Sequence, residues 1–329
     1  METGDRTVLA LDLGATQIRV AVVTPDGAVH SRRNVDTPIR DGPDAVVASC
    51  IRELQAVRAA WEARADGAQA EAIGISAPGP VDPSRGVILD PPNMGPRFRD
   101  VALAEPVAAA LGLPTVLDRD TQVAALAEGA HGAARGCTDF LYLTVSSGIG
   151  GAIVSDGHLL RGPDGTAGEL GHILVDRGGP PCGCGARGHL EAIAAGVALA
   201  ARAREAVAGG AGGMLPGLLA DRGAAFGARE VALADEAGDP VAGGILADAR
   251  DAFAQACVSL VDTFNPTRIV VGGSLARNQG ERWLQPARDR VARDAFRVPG
   301  QRVEILAAEL GDDVGLVGGL ELVRARLWT

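Results

Sequence analysis

A carboxylate, a residue without a side chain and a hydroxyl fall close together in Leu11-Asp12-Leu13-Gly14-Ala15-Thr16. A turn of that composition leaves backbone N–H groups for phosphate oxygens, and Asp12 could hold Mg²⁺ directly or through water. The same residues also make an ordinary hairpin turn. Ser146-Ser147-Gly148-Ile149-Gly150-Gly151 again follows an apolar run and offers N–H groups and hydroxyls to an anion, and Gly272-Gly273 follows Val271. Each is equally a structural turn by itself. Two such turns in one chain fit an enzyme that holds a nucleotide by one phosphate loop from each of two domains. Cys182 and Cys184 stand one residue apart in a loop rich in Gly and Pro. Asp120 precedes a helical stretch and reads, from position alone, as its N-cap or first-turn acid.

The elements that must position these residues follow from apolar periodicity. Thr7 to Leu13 and Ile18 to Thr24, interrupted by Gly14 and closed by Pro25-Asp26-Gly27, predict a β-hairpin. Val47, Ile51, Leu54, Val57 and Trp61 recur at helical spacing within Asp44 to Ala65, and Ala72 to Ala77 follows as a buried strand, so a crossover unit is expected. A strand at Thr115 to Leu117, a helix from Thr121 to His131 and strands at Phe140 to Val145 and Ala152 to Val154 come next. Leu246 to Phe264 carries a helical stripe stopped by Asn265-Pro266, before a strand at Arg268 to Val271 and a last helix near Val314 to Leu327. Asp176 to Gly188 and the Gly-rich Gly209 to Gly227, read as a mobile insertion, are expected to carry no core.

The 329 residues exceed what one core organises, and the hydrophobic fraction of 47% can fill two domains. A net charge of −10 without a basic block disfavours nucleic acid. The first residues show no export signal and no apolar run reaches membrane-spanning length, so a soluble, cytoplasmic protein without membrane contact is expected. Five cysteines, an odd number in a long chain, argue against a disulfide framework, and the singly scattered Cys50, Cys137 and Cys257 read as core residues.

Four segments carry a resemblance: ISAPGPVD at Ile75 to Asp82, ELGH at Glu169 to His172, CGCGARGHLE at Cys182 to Glu191, and AELGDDVGLVGG at Ala308 to Gly319. In this order and spacing they resemble the signature set of the ROK family of bacterial sugar kinases, from about Val8 onward. The resemblance implies a two-domain α/β protein of the actin-like ATPase (ribonuclease H-like) fold with an interdomain cleft. A small N-terminal domain over 1–120, to which a helix at about 314–329 could return, and a larger domain over 121–313 with a zinc loop are expected.

It also implies an ATP-dependent hexose kinase, glucokinase-like and working at the head of glycolysis, with Mg²⁺ and a structural Zn²⁺, commonly as a homodimer. Asp120 would be the base that accepts the sugar hydroxyl's proton. Gly79, Asn93, Arg119, Glu169, His172 and Glu191 would meet the sugar, and Asp12, Gly14, Ala15, Thr16, Ser147, Gly148, Gly272 and Gly273 the nucleotide. The metal ligands would be His172, Cys182, Cys184 and His189, with His189 where the family usually has Cys; two free thiols and two unrelated histidines are the alternative. Arg119 and Gln122 stand where the family usually has Asn, which leaves open N-acetylmannosamine, N-acetylglucosamine or fructose as substrate. A non-catalytic sugar sensor survives only if Arg119 disables the site, which Asp12, Gly14, Thr16 and Asp120 argue against; with the first phosphate turn at Asp12, no room for a DNA-binding domain is expected before it.

Overall fold

The computed structural model describes residues 6–64 and 68–328; Ala65, the end of the expected first helix, Thr329 and the first five residues lie outside them. Chain contacts divide it into two compact units, one comprising the chain up to Gly136, Arg161–Ala167 and the chain from Glu309, the other Cys137–Leu160 and Gly168–Ala308. The first unit begins with β1 (Thr7–Leu13), β2 (Gln17–Val23), β3 (Val29–Asp36), α1 (Pro43–Glu62) and β4 (Ala70–Ala77). It continues with the short strands β5 (Val81–Asp82), β6 (Val87–Ile88) and β7 (Val101–Ala102), then α2 (Ala104–Leu111), β8 (Thr115–Arg119) and α3 (Asp120–His131). The second contains β9 (Phe140–Val145), β10 (Ile149–Ser155), β11 (His158–Leu159), α4 (Leu190–Ala194), α5 (Gly196–Ala208), α6 (Leu215–Arg222), α7 (Ala228–Glu236) and α8 (Pro240–Phe264). It closes with β12 (Arg268–Gly272), α9 (Ser274–Gln279), α10 (Glu281–Asp294), α11 (Arg297–Arg302) and β13 (Glu304–Ala307), after which α12 (Val314–Leu327) returns to the first unit.

Each unit is built on a five-stranded sheet, and the two sheets share one topology. The orders are β3-β2-β1-β4-β8 and β11-β10-β9-β12-β13. In each, the first three strands in sequence are antiparallel and the last two add in parallel. This is the ribonuclease H-like arrangement, present twice, as in actin-like ATPases. It explains why a strand ending in glycine recurs along the sequence: Gly14 and Gly148 follow the first strand of each sheet.

β1 is apolar almost throughout because its sheet is covered on both faces. Leu9, Leu11 and Leu13 join Val46, Cys50, Leu54 and Trp61 of α1, while Val8 and Ala10 join Leu316, Leu320 and Val323 of α12. The buried stripe of α1 is thus centred on Val46, Cys50, Leu54, Val57 and Trp61, with Val47 and Ile51 at its margin, a small rotation from the expected face. Burial pushes the Cys50 thiol up to about 12 and Cys257 is likewise buried, but Cys137 is only half-buried at the start of the second unit and is not a core residue. α12 approaches backbone to backbone: a Cβ on Gly74 of β4 would stand 2.0 Å from the Gly319 carbonyl oxygen, and one on Gly318 would stand 2.3 Å from that of Val123 in α3.

The segment Gly209 to Gly227 departs from expectation. It contains α6, and Leu215 and Phe226 belong to the core of the second unit. The cause is Asp239, buried at the N-cap of α8, whose carboxylate accepts from Val241 and Ala242 and also from Met214 N at 2.7 Å, tying the segment down. Burial alone would raise this carboxyl's pKa, but the N–H donors of Ala242, Met214, Val241 and Leu215 outweigh it and hold it below the ordinary range. A carboxyl so depressed contributes stability that is fully present above its unfolded value, about 3.9, and lost as pH falls through the lower folded value. Asp239→Ala is therefore expected to cost about 2 kcal/mol at neutral pH. The deficit should shrink in acid; denaturant titrations of both proteins at neutral and acidic pH measure it.

Among the described residues no helix is long and apolar enough to cross a membrane.

Candidate active site

The β1–β2 turn is held from three sides. Gly14 N donates to Gln17 O at 2.9 Å, Thr37 Oγ1 donates to Gly14 O at 2.7 Å, and Thr37 N donates to Thr16 O. Asp12 and Arg19 are cross-strand partners, and Arg19 Nη1 lies 3.1 Å from Asp12 Oδ2 while Ser76 Oγ donates to Oδ1 at 2.8 Å. The carboxylate is thus fixed before any ligand arrives. Its remaining lone pairs suit contact with a hydrated cation better than a closed cage, which is how Mg²⁺ is usually held. Thr16 stands exposed and Ala15 half-buried beside it.

The Asp118-Arg119-Asp120 segment separates three roles that the sequence leaves merged. Asp118 is wholly buried, its Oδ2 gripped by Arg161 Nε at 3.1 Å and Nη2 at 2.9 Å, and its Oδ1 accepts from Arg119 N. Arg119 is 5% exposed. Asp120 alone is exposed; it opens α3, and its Oδ1 accepts from Thr121 N at 2.7 Å. The first-turn position read from the sequence is therefore real, and it leaves the second oxygen of Asp120 outside that bond. Gly79 lies against the stem of Arg119, where a Cβ would come within 2.6 Å of Cδ. Asn93 is exposed on a loop and lines a different cavity, of about 360 Å³, with Ile39, Arg40, Pro43 and Arg97.

In the second unit the β9–β10 turn is fastened to α5 and α9. Gly196 N and Val197 N donate to the carbonyls of Ser146 and Ser147, and the hydroxyls of Ser146 and Ser274 meet at 2.9 Å. Glu191 Oε2 accepts from Ile149 N at 2.9 Å and lies over Gly148, where a Cβ would stand 2.8 Å from it. After β12, Gly273 has φ +92° and would drive a Cβ to within 2.4 Å of Val145 O, so only glycine turns the chain into α9 here. Between these elements lies a cavity of about 560 Å³ lined by Ser146, Ser147, Val197, Arg204, Phe226, Arg229, Ser274, Leu275 and Asn278, among others. Gly148, Gly272 and Gly273, assigned to the nucleotide from the resemblance, are not among its lining residues. Arg204, Phe226 and Asn278 went unread in the sequence; the only signal, an isolated Phe in a Gly-rich segment, pointed to a loop.

His172, Cys182, Cys184 and His189 converge, with one ligand atom from each lying within 4.8 Å of all the others. The two Nδ1 atoms are 3.3 Å apart, Cys182 Sγ is 3.6 Å from His172 Nδ1, and Cys184 Sγ is 3.3 Å from His189 Nδ1. Ordinary Zn–N and Zn–S bond lengths give tetrahedral edges of about 3.3 Å between nitrogens and about 3.5 Å between nitrogen and sulfur. The donor set therefore fits zinc in chemistry and in spacing. Burial pushes the Cys182 thiol above its ordinary value; a backbone hydrogen bond from Cys184 offsets part of this, while the Cys184 side chain and Glu191 add to it. A thiolate there calls for a cation. The loop between the ligands folds back through bridges of Leu174 to His189 and Pro181 to Arg187. Gly188, at φ +69°, passes so close to the Asp176 carbonyl that a Cβ would overlap it at 1.6 Å. Glu169 is exposed one turn before His172, whose N–H donates to its carbonyl.

Two ribonuclease H-like sheets, each with a Gly-containing turn after its first strand, define the class as an actin-like ATPase fold, with a Cys/His cluster whose spacing could hold a metal ion. The ROK family model matches residues 8–326, and the chain belongs to that family. It is 31% identical to the glucokinase of Thermotoga maritima over 320 residues, 97% of this chain and 98% of that protein. It is 33% identical to the N-acetylmannosamine kinase of Escherichia fergusonii, over 97% of this chain and 98% of that protein. Among solved structures, a ROK family glucokinase from Streptomyces griseus in complex with glucose and AMPPNP is similar, at 31% identity and TM-score 0.78, covering 97% of this chain and 99% of that one.

Proposed function

We infer that the chain is an ATP-dependent hexose kinase that converts glucose and ATP to glucose 6-phosphate and ADP. The observation that carries the reading at residue level is the sorting of the two carboxylates at the β8–α3 junction. Asp118 is buried and neutralised by Arg161, whereas Asp120 is exposed at a helix N-terminus. Asp120 takes the proton of the sugar 6-hydroxyl as that oxygen bonds to the γ-phosphorus. The bond to the β,γ-bridging oxygen breaks, and ADP leaves with the electron pair.

The first unit contributes Asp12, Gly14, Ala15 and Thr16 to the phosphates and Asn93 to the sugar side, while Gly79 and Arg119 stand behind Asp120 and act on the sugar through their neighbours. The second contributes Ser147 and Gly148 to the phosphates, the cavity ahead of α9 to the adenosine, and Glu169, His172 and Glu191 to the sugar hydroxyls. Mg²⁺, when bound near Asp12, neutralises charge on the phosphates. Zinc, held by His172, Cys182, Cys184 and His189, is structural: Glu191 lies two residues past His189, so fixing the loop fixes the start of α4.

A second reading, phosphorylation of N-acetylmannosamine, is favoured by the 33% identity to a kinase of that name. An ADP-release assay with ATP·Mg²⁺ against glucose, fructose, N-acetylmannosamine and N-acetylglucosamine separates the two. Glucose is expected to give the highest kcat/KM. Preference for an N-acetylhexosamine would replace glucose as substrate, and no turnover with any sugar that binds would make the chain a sensor.

A further inference from the structure

We propose that Arg119 is a positioning residue, fastening the segment Arg161–Ala167 beside Asp120 and so setting how the sugar is held. The role rests on the hexose kinase reading, and the clamp itself rests on geometry within the first unit. Arg161–Ala167 lies in sequence between two stretches of the second unit yet belongs to the first. It has no helix or strand, and its own backbone supplies only Ala167 N to Arg161 O at 3.0 Å and Gly165 N to Gly162 O at 3.4 Å. Its order must come from outside.

Both of its ends are bound to the two residues that precede Asp120. Arg161 forks onto the buried Asp118 carboxylate, and Arg119 Nη2 donates to the Ala167 carbonyl at 2.9 Å. Gln122, two residues after Asp120, reaches Gly165 O at 3.5 Å, the limit of a hydrogen bond. The result is a bracket with Asp120 at its centre. Asp118 also accepts from the Arg119 backbone N–H, so the two ends of the bracket are themselves joined.

The bracket depends on the length and shape of arginine. Its stem runs over Gly79, whose missing side chain is what admits it, and its charge strengthens the bond to the carbonyl in a site almost closed to water. A short amide could not reach Ala167, and lysine would bring the charge without the planar fork. Ala167 stands two residues before Glu169 in sequence, so slack in this segment reaches a group assigned to the sugar. A misplacement of about 1 Å at such a site costs on the order of a hundredfold in rate.

The test compares Arg119→Asn, Arg119→Lys and Gly79→Ala with the parent. Sugar KM is expected to rise about tenfold or more in Arg119→Asn while ATP KM stays within about twofold, with Arg119→Lys in between. Amide exchange in a peptide covering 161–167 should accelerate by at least about tenfold. Gly79→Ala, which pushes the arginine stem aside, should reproduce both effects with Arg119 intact. Unchanged exchange at 161–167 in these variants, or equal rises in both KM values, overturns the clamp. Exchange needs no turnover, so a parent protein that phosphorylates no sugar would end the kinase reading and still leave the clamp to be judged.

Discussion

Asp120→Asn is expected to bind sugar and ATP at parental affinity and to lose about a thousandfold in kcat, the middle of the range that a positioned general base contributes. The substitution removes the proton acceptor and little else. Asparagine keeps an oxygen for the Thr121 N–H that Asp120 Oδ1 accepts at 2.7 Å, and it is as good as aspartate at a helix start. The neighbouring Asp118→Asn is the informative contrast. Its parent side chain is wholly buried and faces the Arg161 fork, so the variant should lose stability by about 3 kcal/mol, because a partly buried guanidinium is left short of its counter-charge. Steady-state kinetics and calorimetry on both variants check this. A kcat for Asp120→Asn within tenfold of the parent would remove Asp120 as the base.

The second large effect is expected from the metal loop. Purified protein should carry about one zinc per chain, and Cys184→Ser or prolonged chelation should release it, raising sugar KM and abolishing turnover at saturating ATP. The loop acts through Glu191. His189 occupies the N-cap position of α4, Glu191 is in its first turn, and the Glu191 Oε2 accepts from the Ile149 N–H at the β9–β10 turn. Losing the ion frees one end of that chain of contacts. Elemental analysis together with nucleotide binding resolves it: less than roughly half a zinc per chain in the parent protein would refute the site.

How far the sequence carries depends on what each residue's neighbours are. The hairpin of β1 and β2, the strands β4, β9 and β12 and the helices α3, α8 and α12 were legible because each buries a continuous or periodic apolar face. β3 was not, since it is an edge strand whose sequence, VHSRRNVD, is mostly polar and exposed. The grouping of His172, Cys182, Cys184 and His189 was expected from the family resemblance, but that their ligand atoms meet at tetrahedral separations required the fold of the loop. The two acids around Arg119 look equivalent in sequence; Arg161, more than forty residues later, tells them apart by neutralising one. Leu215 and Phe226 hid in a Gly-rich segment because the residue that anchors it, Asp239, follows it in sequence and acts through backbone N–H groups that carry no side-chain signal.

The first sheet has one face closed by α1, which follows β1 closely in sequence, but its other face waits for α12. During synthesis the whole second unit emerges in between, so Val8, Ala10 and Ala72 cannot gain their packing against Leu316, Leu320 and Val323 until the end of the chain is made. The unit that is begun first is thereby completed last. The contact between Gly74 and Gly319, which admits no side chain, joins segments whose meeting bears one of the longest loop-closure penalties in the molecule.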